Sequence, residues 1–199
     1  ELANIFIPES VASLGANPFA ECGRLRSIEV AERNQYFAMV NGVLFDMGIT
    51  HLISYNACSE SNYTVPNTVT SIDVQAFKGC CGLKAIKIPD SVKTIGEYAF
   101  NKCASLGPVT IPNSITSINK ATFSGCASMT SIIIPSSISN IREYAFYESG
   151  LFSVTIPHSV WFIGEFAFEN CYNLTTISIP RGLSYPYNAF IRKAAINIV

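Results

Sequence analysis

Apolar positions recur along this chain with a beat of twenty-odd residues. An aliphatic residue followed by proline occurs at Ile7-Pro8, Val65-Pro66, Ile88-Pro89, Ile111-Pro112, Ile134-Pro135, Ile156-Pro157 and Ile179-Pro180. From Pro66 onward the prolines are spaced by 23, 23, 23, 22 and 23 residues, and the gap from Pro8 to Pro66 is 58. Phenylalanines keep the same beat at Phe19, Phe77, Phe100, Phe123, Phe146, Phe168 and Phe190. Several independent positions sharing one short period define a solenoid of stacked coils. Within the repeat that begins at Leu83, the run Leu83, Ile86, Ile88 fits L-x-x-I-x-I, the strand signature of leucine-rich repeats. Ile86 and Ile88, two apart, point to one side of a strand and Lys87 to the other. Pro89, with no N–H to donate, ends the strand. Val92, Ile95 and Phe100 then return to the interior on the opposite arc. The stretch from Ile95 to Cys103 is too short for an independent helix and predicts a single helical turn.

The fold expected is therefore an α/β leucine-rich repeat solenoid of about eight 22–23-residue coils, with a parallel concave sheet and short convex helical turns. Residues 1–199 read as one solenoid, a fragment of a longer protein. Each coil exposes two apolar flanks, so stability must come from stacking on its neighbours. A hydrophobic content of 49% with only 14% charged residues agrees with most of each repeat being core. No apolar run reaches the length needed to insert into a membrane.

The second repeat is interrupted by residues 31–62. Asn41-Gly42 is a hairpin turn signal. Val43-Leu44-Phe45 reads as a strand, Asp46-Met47-Gly48 as a second turn, and His51-Leu52-Ile53-Ser54-Tyr55 as a further strand. The pattern predicts a small β-hairpin insertion projecting from the solenoid wall. It could serve as a binding element or as another way of closing a coil.

Two further columns follow the beat. The second residue after each of these prolines is Ser10, Thr68, Ser91, Ser114, Ser137, Ser159 and finally Gly182, and the hydroxyls are placed to bond the backbone of the turn. Cys22, Cys80, Cys103, Cys126 and Cys171 lie three residues after the phenylalanine. A stack of small buried thiols accounts for them. Disulfides between stacked positions would need parallel Cβ vectors, a poor bridge geometry. A zinc site is disfavoured, because a column spreads ligands along the axis where four must converge. Cys81 is expected outside its turn, and Cys58, in the insertion, is the candidate reactive thiol.

The motif I-x-I-P-x-S-V-x-x-I-G-x-x-A-F-x-x-C resembles the BspA-type leucine-rich repeats of bacterial and protozoan surface proteins. Ile88-Pro89-Asp90-Ser91-Val92, Ile95-Gly96, Ala99-Phe100 and Cys103 carry the match, as do Gly42-Val43-Leu44-Phe45 and Leu52-Ile53-Ser54-Tyr55 in the insertion. The resemblance implies a cell-surface or secreted, non-catalytic module. Its implied partner is a protein or glycoprotein, such as host extracellular matrix, and no cofactor is implied.

Candidate contact residues are those expected to face outward from the strands: Phe6, Arg26, Lys84, Lys87, Thr110, Thr130, Ile133, Phe152 and Thr155. Ile133 and Phe152 stand out as apolar residues in neighbouring coils, expected to be adjacent and exposed. A passive stalk, with the same hydroxylated face left unoccupied, is the competing reading. With 13 basic and 14 acidic residues the chain has no field to attract nucleic acid. His51 and Cys58 offer the sole enzymatic reading, without a nucleophile–base–carboxylate spacing to support it. His158 occupies a solvent-facing turn.

Overall fold

A computed structural model describes residues 3–22, 25, 27–56 and 60–199. The first two coils hold β1 (Asn4–Ile7) and β2 (Ser27–Val30). The insertion supplies β3 (Phe37–Val40), β4 (Val43–Asp46) and β5 (His51–Tyr55). The remaining coils carry β6 (Asn62–Thr64), β7 (Ser71–Ile72), β8 (Ala85–Lys87), β9 (Thr94–Ile95) and β10 (Ser117–Ile118). Then follow β11 (Asn140–Ile141), β12 (Ser153–Thr155), β13 (Phe162–Ile163), β14 (Thr176–Ile179) and β15 (Ala195–Ile198).

Each regular coil meets its neighbours in two parallel ladders. The first, preceding the prolines, comprises β1–β2, β6–β8, the isolated bridge between Thr110 and Ile133, and β12–β14–β15. Its break after β8 falls at Pro108, which has no N–H for a ladder. The second ladder runs β5–β7–β9 and β10–β11–β13, pairing Leu52 with Ile72, Ile72 with Ile95, Ile118 with Ile141, and Ile141 with Ile163. Between them the turn after each proline closes on its own backbone, as where Val92 N–H donates to Pro89 O at 3.1 Å. Two of the column serines act between coils instead, while the buried Ser91 and Ser137 hydroxyls have no hydrogen-bond partner among the described residues. Ser159 Oγ donates to Ile138 O at 2.7 Å, and Ser114 Oγ to Val92 O, both carbonyls of the preceding coil.

The expected convex helical turns are not there; no helix occurs among the described residues, and the fold is a β-solenoid. The reason lies in the backbone around each column phenylalanine from Phe77 to Phe168. The residues two before and two after it are left-handed: Tyr98 (φ 58°) and Lys102 (φ 61°) flank Phe100, and Tyr144 (φ 58°) and Glu148 (φ 55°) flank Phe146. Such residues alternate the direction of successive N–H groups, so a helical run cannot form. Half the groups close tight turns, as where Lys78 N–H donates to Gln75 O at 3.0 Å. The other half donate along the stack: Phe77 to Ala99 O at 2.8 Å, Phe100 to Thr122 O at 2.9 Å, and Phe123 to Ala145 O at 2.9 Å. A non-glycine residue held left-handed costs roughly 1 kcal/mol, which the hydrogen bond to the next coil offsets.

The insertion is built into the wall. Asn41 (φ 49°) and Gly42 (φ 76°) make the tight turn between antiparallel β3 and β4, as the sequence predicts. The strand expected to project, β5, lies antiparallel to β4 on one side and parallel to β7 on the other, extending the second ladder. Its pleat separates two cores. Val43, Phe45, Leu52 and Tyr55 join the main core, while Phe37, Leu44 and Ile53 pack with Ile7 and Ile28 of the first coils. Phe19 lies with that smaller core and outside the phenylalanine stack, a correction to the expected seven-member column.

Candidate protein-binding surface

The thiols sort by burial. Cys80, Cys103, Cys126 and Cys171 are buried in one column, and their Sγ atoms donate to carbonyls of the preceding coil. Cys103 reaches Phe77 O at 3.0 Å and Cys126 reaches Phe100 O at 3.2 Å. Burial pushes the Cys171 thiol up to about 11 and raises Cys126 as well. The shortened coil puts Ser149 in this column, 3.2 Å from Cys171 Sγ. Cys81 is exposed as expected, but so is Cys22, which therefore leaves the buried stack. No disulfide joins any two of the described cysteines. Cys58 lies outside the described residues.

His51 contacts Asp73, with Nδ1 and Oδ1 3.1 Å apart, and the Ser71 hydroxyl donates to the same Oδ1 at 2.8 Å. Serine and histidine thus compete for one carboxylate. The histidine is not set to take the serine's proton, which nucleophilic catalysis would require. His158 is exposed.

All the candidate contact residues that are described lie at the surface: Phe6, Lys84, Lys87, Thr110, Thr130, Ile133, Phe152 and Thr155. Arg26 lies outside the described residues. The ladder fixes their neighbours. Phe6 pairs with Glu29, Thr64 with Lys87, Thr110 with Ile133, and Thr155 with Ser178. Ile133 is 80% exposed and Phe152 is 53% exposed. They do not sit side by side as expected. Phe152 N–H donates to Thr130 O at 3.1 Å, placing it beside the start of the strand. Three residues of extended chain, about 10 Å, therefore separate its level from that of Ile133. A shallow cleft of about 320 Å³ runs between their coils, lined by Ser131, Ile133, Ser153, Thr155 and Pro157.

The sequence reading missed a second surface. Outside the phenylalanine column, residues 78–140 contain one aromatic, Tyr98, whereas residues 141–172 contain Tyr144, Tyr147, Phe152, Trp161, Phe162, Phe166 and Tyr172. Trp161 is 68% exposed and Arg142 lies 5.8 Å from the centre of the Phe162 ring. That shift in aromatic density was legible without a structure.

These features define a stacked-coil repeat protein that presents long faces. The chain matches the BspA type leucine rich repeat region in six copies over residues 1–39, 51–175 and 93–198, and it belongs to that family. Among solved structures, it is similar to a leucine rich cell surface protein from Faecalibacterium prausnitzii, with 34% identity, a TM-score of 0.81, and coverage of 89% of this chain and 48% of that one. A leucine-rich repeat protein from Bacteroides ovatus shares 26% identity at a TM-score of 0.63, over 82% of this chain and 51% of that one. The pneumococcal vaccine antigen PcpA shares the fold at 21% identity and a TM-score of 0.58, over 99% of this chain and 45% of that one. The chain thus spans about half the length of these relatives. No curated protein sequence matches it.

Proposed function

We propose that this chain is a non-catalytic binding module of a cell-surface repeat protein. It engages another protein or glycoprotein, such as host extracellular matrix, through the first ladder's outer face and the insertion. The observation that carries the reading is the exposure of Ile133 and Phe152 on a face otherwise lined by Thr110, Thr130, Thr155 and Ser178. Large apolar side chains left in water on a flat, hydroxylated sheet are suited to anchor a partner. Lys84, Lys87 and Phe6 extend the face toward the N-terminus, and Arg26 is assigned to it from the sequence alone. Tyr36, Val40 and Met47 give the insertion its own exposed apolar side chains.

The test is biolayer interferometry of the immobilised chain against matrix and serum proteins, with Ile133→Lys plus Phe152→Lys as the control variant. Saturable binding lost in that variant supports the reading, and binding that survives it moves the site to the insertion. The uniformly small, hydroxylated residues at Thr64, Thr110, Thr155 and Ser178 favour the second reading, a passive spacer. On that reading no ligand binds and the variant behaves as the parent chain.

A further inference from the structure

The outer side of the phenylalanine corner carries a surface the first ladder does not use. In two adjacent coils it presents Glu143, Tyr144, Tyr147 and Glu148 beside Glu165, Phe166 and Glu169. Backbone bonds set the alignment: Tyr144 N–H donates to Glu165 O at 3.0 Å and Glu148 N–H to Glu169 O at 3.1 Å. The Tyr144 and Phe166 rings stack at 5.0 Å, and Tyr147 meets Tyr144 edge-on at 5.5 Å. All three rings are part-exposed.

The fold does not require rings here. Tyr144 and Phe166 both occupy the left-handed position two before the column phenylalanine, with φ of 58°. Gln75 (φ 61°), Tyr98 (φ 58°) and Ala121 (φ 51°) fill the same position in other coils, so two of the five positions do without a ring. A bulky aromatic is an unfavourable choice for left-handed backbone, so its presence in two stacked coils points away from folding as the reason.

The charges around these rings are unmatched. Residues 121–180 contain four glutamates, Glu143, Glu148, Glu165 and Glu169, and one Lys or Arg, Arg142. Arg142 lies over Phe162, and none of the four glutamates forms an ion pair with a described residue. An earlier corner shows the matched arrangement. There Lys78 lies 6.0 Å from the centre of the Tyr98 ring, and Lys78 and Lys102 both pair with Glu21, at 3.8 and 2.8 Å. The solenoid pairs its own ammonium groups with the carboxylate of that corner, whereas at the later one Lys120, one coil before Glu143, makes no ion pair with a described residue.

We propose that the corner formed by Glu143, Tyr144, Tyr147, Glu165, Phe166 and Glu169 docks a lysine- or arginine-rich extended segment of a partner protein. Its cationic heads lie over the Tyr144 and Phe166 rings and pair with the flanking glutamates. A polyanion is repelled by this surface, and a neutral glycan leaves its carboxylates unmatched. The site is separate from the first-ladder face and stands whether or not that face binds.

The experiment is a titration of the full chain against a fluorescein-labelled oligo-arginine peptide, read by anisotropy at low salt. In parallel, neutral oligosaccharides are titrated and read by emission of Trp161, the sole tryptophan. Saturable peptide binding is expected, weakened roughly tenfold by Glu143→Gln plus Glu165→Gln. Phe166→Asn, which suits left-handed backbone, is expected to weaken it further, and unchanged thermal melting certifies the fold of each variant. Should Phe166→Asn fail to fold, the charge-only pair decides alone. Ile133→Ser plus Phe152→Ser leaves peptide binding intact, which separates this site from the first ladder. The proposal is overturned if the peptide does not bind saturably. Equal weakening by Glu9→Gln plus Glu29→Gln overturns it too, since the attraction is then diffuse. Oligosaccharide binding insensitive to Glu143→Gln plus Glu165→Gln, with no peptide binding, identifies a glycan platform instead.

Discussion

The ring of Tyr55 stacks on that of Phe77 with centroids 4.8 Å apart and planes inclined by 29°. Tyr55 comes from the insertion and Phe77 from the first regular corner after it. From Phe77 the column continues through Phe100, Phe123, Phe146, Phe168 and Phe190 with centroid separations of 4.9 to 5.6 Å. The insertion therefore supplies the first member of the main aromatic stack. Tyr55→Ala is expected to destabilise the protein by about 3–5 kcal/mol, the range for removing a buried aromatic ring. Urea denaturation checks this, and a loss below about 1 kcal/mol would mean the insertion is energetically detached from the stack.

Gly150 stands where the one shortened coil approaches its neighbour. A Cβ there would lie 2.0 Å from Ala127 O, a clash with backbone that no side-chain rotation relieves. Gly150→Ala is expected to destabilise by at least about 2 kcal/mol, by forcing two coils apart. Gly107→Ala, whose nearest contact would be 3.4 Å, is the matched control and should be nearly silent in the same thermal melts.

Asp46 holds the turn between β4 and β5. Its carboxylate accepts from Thr50 N–H, Thr50 Oγ1 and His51 N–H, each at 2.7 Å. Burial acts to raise its pKa, but these donors outweigh it and hold the group below the ordinary aspartate value of 3.8. A depressed folded pKa gives stability that is present above the unfolded pKa and lost as pH falls through the folded one. Asp46→Ala should cost about 1–2 kcal/mol at neutral pH. Its melting difference from the parent chain should vanish in strong acid, below the folded pKa. A difference that persists there would show that the carboxylate is not what stabilises the turn.

The two classes of thiol should separate chemically. Under native conditions a disulfide reagent is expected to titrate Cys22 and Cys81 quickly, since both are exposed. Cys80, Cys103, Cys126 and Cys171 should react only on unfolding, being buried and, for Cys126 and Cys171, raised in pKa. Mass spectrometry after timed alkylation assigns each site. Rapid native labelling of Cys126 would contradict the closed column.

The sequence by itself determined the coil length, the number of coils and most of the interior. A period repeated at proline, phenylalanine, cysteine and isoleucine positions leaves only stacking as a way to bury them all. It also located two of the insertion's three strands, β4 and β5, and both of its turns, because Asn41-Gly42 and Asp46 act locally. Tertiary structure alone decided three matters. Whether the corner after Ile95 is helical depends on where its N–H groups find acceptors. Those acceptors, such as Thr122 O for Phe100, belong to the next coil, 22 residues away. Whether the insertion projects or closes the wall depends on β5 finding β7, a pairing between strands some twenty residues apart that no local propensity encodes. The levels of Ile133 and Phe152 on the surface depend on register, since hydrogen bonding to Thr110 and Thr130 fixes what each one faces. Periodicity reports which residues are buried. It is silent on which coil satisfies each backbone group, and that satisfaction shaped the corner and the wall.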